Sequence, residues 1–360
     1  MKKIRVAIIG YGRSGRDIHT RLLSQIQDLF EIVAIVDNDS QRQEMIKAEN
    51  SCEVLSDYTQ LYSRSDIDLV VNASFSHFHA PISIDLLKHG FNVMSEKPAT
   101  SSTAEFKEIM KTSKETGKSY FVFQQYRFAP SYVKLKEVIK SGVLGRIVQV
   151  NLNYSGFSRR WDWQTVQAFV AGSLFNTGPH PVDQALDLMG FPDDVKVTCV
   201  MDTAHTYGDG EDYVKLILRA TEAPVLDVEI SSCNAYSDYT YLVQGTRGTL
   251  KGDTKKLDWK YYIDSVEQKQ RLIMESLRNE KGEPIYCSEN LSFNTDSWSV
   301  EGKEVDDFNA KGLTLYRELY QCMLGNQTFL ITQEQVLKQI GVIEESHKQN
   351  EKTLKRFIMV

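Results

Sequence analysis

The sequence predicts an α/β protein of two domains, in which a parallel sheet covered by helices precedes a mainly antiparallel sheet. In the first third, short apolar runs alternate with helical patterns, as in βαβ units whose sheet is buried on both faces. After about residue 125, strand-like runs follow one another with turn signals between them, which favours antiparallel pairing. A length of 360 residues is also typical of two domains, and we expect them at 1–125 and 126–360.

The first predicted domain consists of five strands separated by four helices. Its strands are short runs rich in β-branched and aromatic residues, which favour extended structure. They are expected at 4–9, 32–36, 69–73, 92–94 and 120–123. The helices are expected at 14–27, 40–48, 79–89 and 103–116. Gly90 and Gly117 follow the last two helical patterns, and glycine is common at that position.

The second predicted domain is rich in strands and has helices near its two ends. The strands are expected at 147–154, 195–201, 213–219, 224–231, 240–244 and 249–251. The helices are expected at 131–140, in a segment that ends at Gly190, and at 306–323 and 332–349. Residues 245–248, Gly-Thr-Arg-Gly, are typical of a hairpin turn, and the polar stretch 268–294 is expected to be a surface loop.

Composition excludes several classes of protein. Hydrophobic residues make up 41% of the chain and charged residues 25%, which is ordinary for a soluble globular protein. The net charge of −6 provides no basic footprint for nucleic acid or for an anionic membrane. No stretch approaches the roughly 18 apolar residues of a membrane span. We therefore expect a cytoplasmic protein with neither a nucleic-acid partner nor a membrane partner.

The cysteines and histidines predict no metal centre. The five cysteines are far apart and form no Cys-x-x-Cys pair, which suits a reducing compartment. His77 and His79 form an H-x-H pair without an evident third ligand, so we expect them at a helix start and near a cofactor. The cysteines are Cys52, Cys199, Cys233, Cys287 and Cys322.

A G-x-G-x-x-G motif lies between the first predicted strand and the first predicted helix. In such motifs the first glycine allows a tight turn, the second lets a pyrophosphate approach the backbone, and the third lets the helix pack on the strand. The N–H groups at the helix start then face the phosphates. This context predicts a Rossmann dinucleotide-binding domain. The predicted cofactor contacts in the loop are Gly10, Tyr11, Gly12, Arg13, Ser14 and Gly15.

Asp37 directly follows the second predicted strand and lies 22 residues beyond Gly15. A carboxylate at this position accepts hydrogen bonds from the adenosine ribose and repels the 2′-phosphate of NADP. We therefore predict NAD as the cofactor and regard NADP as the less favoured alternative. Arg42 keeps that alternative open, because its guanidinium is within reach of a phosphate at the same place.

Two further motifs are Glu96-Lys97-Pro98, after a predicted strand, and the segment 172–183, G-S-L-F-N-T-G-P-H-P-V-D. Together with the glycine loop they resemble the glucose–fructose oxidoreductase / inositol dehydrogenase family (Gfo/Idh/MocA), whose E-K-P and G-G-x-x-x-D-x-G-x-H-x-x-D motifs have the same relative positions. The resemblance implies an NAD(P)-dependent oxidoreductase that oxidises a secondary hydroxyl of a sugar, glycoside or cyclitol, or catalyses the reverse reaction. It also implies an open-faced second sheet through which the chain forms a homo-oligomer, a dimer or a tetramer.

Lys97 and His180 are the predicted catalytic residues. Oxidation of an alcohol requires a base for the hydroxyl proton and a donor that stabilises the developing alkoxide. His180 lies between two prolines in the first turn of a predicted helix, whose positive end disfavours imidazolium and keeps the ring able to accept a proton. Lys97 follows a strand end, where open α/β sheets bind ligands, and its counterpart is the family's most characteristic catalytic residue.

The resemblance adds residues around the cofactor and the substrate. The further expected cofactor contacts are Ser74, His79, Glu96 and Lys97. The expected substrate contacts are Arg127, Arg160, Trp161, Trp163, Asn176, His180 and Asp183. Tryptophan faces stack on sugar rings, although a buried Trp pair that anchors a loop is the alternative. Arginines bind hydroxyls, and paired arginines can instead select a carboxylate or a phosphate.

Asn176 departs from the family motif, which usually has an aspartate four residues before the histidine. The amide brings no charge that would stabilise an imidazolium. Either the base is then weaker or another carboxylate compensates, and Asp183, on the same helix face as His180, is one candidate.

Two other functions remain open at this stage. The redox step can instead open a glycoside cleavage in which NAD is recycled without net oxidation. A non-catalytic NAD-binding regulator is the third possibility. The presence of both Lys97 and His180 argues against it, and Asn176 is the one residue in its favour.

Overall fold

The computed structural model describes residues 2–263, 271–302 and 307–354. Its first sheet consists of β1 (Ile4–Ile9), β2 (Phe30–Val36), β3 (Glu53–Leu55), β4 (Leu69–Asn72), β5 (Val93–Ser95) and β6 (Tyr120–Val122). The strands are all parallel and lie in the order β3-β2-β1-β4-β5-β6. This is the Rossmann order, in which ligands bind where the order reverses, here between β1 and β4. The predicted Rossmann domain is confirmed.

Helices cover both faces of the first sheet. Helix α1 begins as a π-helix, Arg13–Thr20, and continues as one α-helical turn, Arg21–Leu23. The others are α2 (Ser40–Glu49), α3 (His79–Lys88) and α4 (Thr103–Thr116), with short 3-10 helices at Tyr58–Ser63, Ser76–Phe78 and Gln125–Phe128. The bounds of α4 are those predicted, and α1 ends four residues early. Strand β3 was not predicted, because three partly exposed residues carry no readable period.

The second sheet has eight strands. They are β7 (Ile147–Ser155), β8 (Lys196–Asp202), β9 (Tyr213–Arg219), β10 (Val225–Ser231), β11 (Tyr241–Gly245), β12 (Gly248–Gly252), β13 (Lys256–Tyr261) and β14 (Asn294–Ser299), in the order β14-β13-β12-β11-β7-β10-β9-β8. Only the β7–β10 pair is parallel, so the predicted mainly antiparallel sheet is confirmed. The hairpin at 245–248 is present.

Helices cover one face of this sheet and leave the other uncovered by the described chain. They are α5 (Pro130–Lys140), α6 (Ser173–Asn176), α7 (Pro179–Met189) and α9 (Gln333–Leu354), with short 3-10 helices at Trp163–Thr165 and Gln167–Phe169, whereas α8 (Asp307–Met323) packs in the core of the first sheet. The predicted helix start at 306 and the loop residues 268–270 lie outside the described residues. The described part of that loop, 271–293, is almost wholly exposed, as expected for a surface loop.

The two sheets have separate hydrophobic cores, and α8 contributes to the first although it follows the second sheet in the chain. Leu315, Tyr316, Leu319 and Tyr320 of α8 are buried in the core of the Rossmann sheet. Helix α9 contributes apolar residues to both cores. The division predicted at residue 125 falls just after β6, and a helix from beyond it completes the first core.

Within the described residues, we find no helix with both the length and the apolar composition needed to span a membrane.

Candidate active site

The glycine loop connects β1 to α1 at the carboxyl end of the Rossmann sheet. A Cβ added to Gly10 would lie 2.6 Å from the Ala73 carbonyl oxygen, and one added to Gly15 would lie 1.8 Å from the Gly10 carbonyl oxygen. Packing therefore excludes side chains at both positions. A Cβ on Gly12 would meet only Arg42 Nη1, at 4.0 Å. The open space over Gly12 is the cradle that a pyrophosphate requires, so the loop fits a dinucleotide.

Asp37 is buried at the end of β2, beside this loop. Its carboxylate accepts hydrogen bonds from the backbone N–H groups of Tyr11 at 2.7 Å and Asp39 at 2.9 Å. Arg42 Nη1 lies 3.4 Å from Asp37 Oδ2. The loop therefore holds the carboxylate where the adenosine ribose is expected, and Arg42 supplies the positive charge that would tolerate a 2′-phosphate.

Of the other loop residues, Tyr11 points away from the cradle. Its hydroxyl donates to Glu49 Oε2 at 2.8 Å and accepts from Asn50 Nδ2 at 2.7 Å, which anchors the loop to α2. Arg13 is exposed, and Ser14 is partly buried. The backbone positions of these residues border the cradle, whereas the Tyr11 side chain serves the fold.

His79 connects two loops at the carboxyl ends of β4 and β5. Its Nδ1 lies 2.7 Å from the Pro98 carbonyl oxygen and its Nε2 lies 3.1 Å from the Ser74 carbonyl oxygen. Ser74 in turn donates from its hydroxyl to Asn72 Oδ1 at 2.7 Å. His79 thus positions the backbone on either side of the expected nicotinamide position, and a direct cofactor contact by its ring stays a prediction.

Glu96 is buried and fixes the backbone of Lys97. Glu96 Oε2 accepts the Lys97 N–H at 3.0 Å, and Oε1 lies 3.2 Å from His19 Nε2 on α1. His19 Nδ1 is 2.7 Å from the hydroxyl of Tyr316 on α8. Burial tends to raise the pKa of Glu96, but His19 and Lys97 outweigh it and lower that pKa. An ionised carboxylate therefore joins the lysine segment to two helices.

The side chain of Lys97 reaches the second domain. Its Nζ donates to the backbone carbonyl oxygen of Asn176, the last residue of α6, at 2.7 Å. Burial lowers the pKa of Lys97, the Glu96 carboxylate opposes this, and the positive charges of Arg13 and Arg160 add to the lowering. The structure thus brings Lys97 and the Asn176 segment together.

His180 is the second residue of α7 and is only 7% exposed. Its ring stacks on Tyr126, with centroids 3.9 Å apart and an interplanar angle of 23°. Within the described residues its Nδ1 is buried without a hydrogen-bond partner. Burial and the positive charges of Lys97 and Lys311 lower the pKa of His180 well below its ordinary value. The direction agrees with the expected neutral imidazole, and burial and two ammonium groups contribute to it. The contribution of the helix end stays a prediction.

Arg127 and Asp183 bind each other. Arg127 Nε and Nη2 donate to Asp183 Oδ2 and Oδ1 at 2.8 and 2.7 Å, and each side chain is 2% exposed. Arg127 Nη1 also donates to Gln335 Oε1 at 2.8 Å. The expectation that Asp183 compensates for the amide of Asn176 is therefore wrong, because its carboxylate is paired with Arg127 rather than with His180. A substrate contact by either residue would require this buried pair to open.

The tryptophans lie at the border between the domains, in the segment after β7. Trp163 packs edge-on against Phe75 of the first domain, with ring centroids 4.8 Å apart. Trp161 is 76% exposed. They are therefore not a buried pair that anchors a loop. Arg160 donates to Asp162 Oδ2 at 2.7 Å, and its charge acts on Lys97. Substrate contacts by these three residues stay predictions.

Three residues near this site were not identified from the sequence. Glu211 Oε1 accepts the Leu174 N–H at 2.8 Å and so holds the start of α6. Lys311 is buried against the Tyr126 ring, and His19 contacts Glu96. None carries a sequence signal: a lysine four residues after Asp307, for example, is typical of an exposed ion pair on a helix.

One group of possible metal ligands occurs in the described residues: His205, Asp212 and Cys233. The Asp212 carboxylate accepts three backbone N–H groups, from residues 204, 205 and 206. His205 Nε2 lies 2.8 Å from the Ser232 carbonyl oxygen. These bonds hold a turn together, and the group is not part of the Lys97–His180 site.

Family models match both halves of the chain. Residues 4–124 match the family model described as "Oxidoreductase family, NAD-binding Rossmann fold", and residues 132–251 match "GFO/IDH/MocA C-terminal domain". The chain is 27% identical over 270 residues to 2,7-anhydro-N-acetylneuraminate hydratase of Mediterraneibacter gnavus, covering 72% of this chain and 71% of that protein. It is 24% identical over 364 residues to scyllo-inositol 2-dehydrogenase (NADP(+)) IolW of Bacillus subtilis, covering 99% and 96%.

Solved structures show the same fold at lower identity. The WlbA dehydrogenase from Bordetella pertussis, in complex with NADH and UDP-GlcNAcA, is similar with a TM-score of 0.74 at 19% identity, covering 97% of this chain and 96% of that one. The putative oxidoreductase yvaA from Bacillus subtilis is similar with a TM-score of 0.73 at 22% identity, covering 99% and 100%.

Proposed function

The chain belongs to the Gfo/Idh/MocA family of NAD-binding oxidoreductases, and we propose that it interconverts a secondary hydroxyl and a ketone on the ring of a sugar, glycoside or cyclitol. The observation that carries the proposal is that the Lys97 side chain crosses the domain border to the segment that contains His180. The Lys97 ammonium bonds to the residue that lies four positions before His180, and its charge acts on the imidazole. The glycine loop and Asp37 would hold NAD, which would supply the acceptor for the hydride that leaves the substrate carbon.

His180 is suited to accept the hydroxyl proton. Because its pKa lies well below the ordinary value, the imidazole is neutral at physiological pH and has a free lone pair. The stacked ring of Tyr126 holds the imidazole plane in place.

Lys97 is suited to stabilise the oxygen that this proton leaves. A protonated lysine has three N–H donors, and the Asn176 carbonyl takes one of them. The other two are available to an alkoxide oxygen, and donors fixed in advance in a buried site stabilise such charge effectively.

The substrate class rests on the family and on the surroundings of Lys97. One relative is named a scyllo-inositol 2-dehydrogenase, which supports a cyclitol as the first substrate to test. Arg13 and Arg160 place two further positive charges near Lys97. We therefore propose that the site also accepts rings that bear a carboxylate or a phosphate.

A reaction without net oxidation is the second candidate. It is favoured by the relative that is named a hydratase, since addition or removal of water leaves the oxidation state unchanged. Steady formation of NADH with a polyol supports the dehydrogenase. Product release from a glycoside, with NAD required but no NADH accumulating, supports the second candidate.

The Lys97→Met and His180→Ala variants test the catalytic assignment. We expect kcat to fall by about 100-fold or more in each, the range typical of a lost acid–base group, while the Kd for NAD changes little in His180→Ala. In Lys97→Met the Kd for NAD is measured separately, because Lys97 is also an expected cofactor contact. Turnover is measured by NADH absorbance with a panel of inositols, sugars and glycosides that the wild-type protein accepts. Lys88→Met and His89→Ala, at the exposed end of α3, are the matched controls. Turnover within twofold of wild type in Lys97→Met and His180→Ala would refute the assignment.

We further propose that the chain forms a dimer or a tetramer through the uncovered face of the second sheet. Val200, on this face of β8, is 59% exposed, and Lys215 forms ion pairs there with Asp227 and Glu229. Light scattering should yield a mass of two or four chains of 41.1 kDa. We expect Val200→Lys to reduce assembly and Lys88→Glu, on the Rossmann domain, to leave it unchanged. A monomeric wild-type protein contradicts this proposal.

A further inference from the structure

Lys311 is an almost fully buried lysine in the described core, 2% exposed, on α8. Burial of an ammonium group is costly unless it is paired. Its Nζ contacts Asp307, one turn earlier on the same helix, and lies over the ring of Tyr126, 3.7 Å from the centroid. A distance this short places the ammonium on the face of the ring rather than at its edge.

The same Tyr126 ring also stacks on His180, with a centroid distance of 3.9 Å. Two groups this close to one centroid cannot occupy the same face without overlapping. Lys311 and His180 therefore lie on opposite faces, and the three groups form a stack of ammonium, phenol and imidazole. The stack joins α8 to the start of α7 through the 3-10 helix Gln125–Phe128.

We infer that Lys311 is a positioning residue that keeps His180 in its neutral, proton-accepting form and acts across the ring of Tyr126. Protonation of His180 would place a second positive charge one aromatic ring away from the ammonium, in a site that water does not screen. The ammonium also polarises the π electrons that would otherwise stabilise an imidazolium on the other face. The catalytic consequence rests on the proposed function, whereas the effect on His180 titration does not.

The other charged groups near His180 act in the same direction or are already paired. Lys97, from the loop after β5, adds a positive charge, and burial further disfavours the imidazolium. Asp183, one turn further along α7, is neutralised by Arg127. Asp307 contacts the Lys311 ammonium from the same helix, and that ammonium lies against the face of Tyr126 opposite His180. The amide of Asn176 fits this arrangement, since a carboxylate there would oppose both ammonium groups.

NMR titration of histidine-labelled protein tests the inference without requiring a substrate. We expect the pKa of His180 to rise by about 1 or more in Lys311→Met, from the Coulomb energy of two charges separated by one ring. Lys311→Gln, which keeps a hydrogen bond to Asp307, should produce the same rise and carries the test if the methionine variant does not fold. Lys311→Arg, which keeps the charge, should titrate as the wild type does.

Lys136→Met is the matched control, because Lys136 lies over the ring of Tyr132, away from His180. We expect no change in His180 titration there. An unchanged pKa of His180 in Lys311→Met or Lys311→Gln overturns the inference, as does an equal rise in Lys136→Met. With an accepted substrate, the acidic limb of the kcat/KM profile should move to higher pH in Lys311→Met. A raised pKa without turnover on any polyol refutes the proposed function and leaves the inference standing.

Discussion

Asn176 shows how one residue can serve a site through its backbone. Its carbonyl oxygen accepts the hydrogen bond of Lys97, a role that any residue at this position can fill. The side chain makes no hydrogen bond to the described residues and is only partly buried. Its chemical identity therefore matters for charge rather than for the geometry of Lys97, and an amide leaves the site without a negative charge beside His180.

Replacement of Asn176 by aspartate tests this interpretation. A carboxylate near His180 favours the imidazolium, so the pKa of His180 should rise by about 1. The neutral base is then lost at a higher pH, and the acidic limb of the kcat/KM profile moves upward. The measurement is the pH dependence of kcat/KM, with Asn153→Asp on the second sheet as the control. An identical profile in Asn176→Asp would mean that residue 176 does not act on the base.

Among the elements, α6 is a four-residue helix that depends on its first contacts. It begins after Gly172, whose backbone has φ +109° and ψ 164°, a region that is essentially restricted to glycine. A Cβ at this position would lie 2.3 Å from Glu211 Oε2, and Glu211 holds the Leu174 N–H. Glu211 and Gly172 together therefore place the Asn176 carbonyl under Lys97.

Gly172→Ala should consequently destabilise the protein and weaken the site. We expect a loss of about 1–3 kcal/mol in the free energy of unfolding, from backbone strain and the collision with Glu211. Urea denaturation measures this loss. Gly156→Ala is the control, because a Cβ there meets nothing within 4 Å and the backbone is not left-handed. Equal stabilities of the two variants would show that Glu211 does not constrain α6.

Helices and strands were predicted from the sequence only where a hydrophobic period or a terminal glycine marks them. Helix α4 has its predicted bounds because a serine at residue 102 and Gly117 mark its ends. Strand β13 was not predicted although the alternation in KLDWKY is a strand signal, and β14 was not predicted because it is largely polar. Contacts that join distant segments, such as Glu211 with α6 or Lys311 with Tyr126, leave no local pattern. The motifs therefore identified Lys97 and His180, whereas only the structure showed which residues set their positions and their charges.

At the scale of the whole molecule, the candidate site depends on α8, a helix that lies outside both the Glu96-Lys97-Pro98 motif and the 172–183 motif. Helix α8 contributes Tyr316, which contacts His19 and so reaches Glu96, and Lys311, which reaches His180 through Tyr126. The same helix is packed in the core of the Rossmann sheet. Helix α8 therefore contacts residues that hold each of the two predicted catalytic side chains in place. The relative positions of Lys97 and His180 are thereby linked to the packing of the first core.

This packing predicts that residues 1–125 do not fold alone into the Rossmann domain. The fragment lacks the apolar side chains that α8 buries in its core: Leu315, Tyr316, Leu319 and Tyr320. Each fully buried apolar side chain contributes about 1.5–3 kcal/mol, and four of them approach the roughly 5–15 kcal/mol net stability of a domain. We expect poor chemical-shift dispersion and no cooperative urea transition for the fragment. A fusion that adds residues 307–354 through a glycine–serine linker should recover both, because it restores α8. A fragment 1–125 that unfolds cooperatively, with the stability of the fusion, would show instead that the first core is complete without α8.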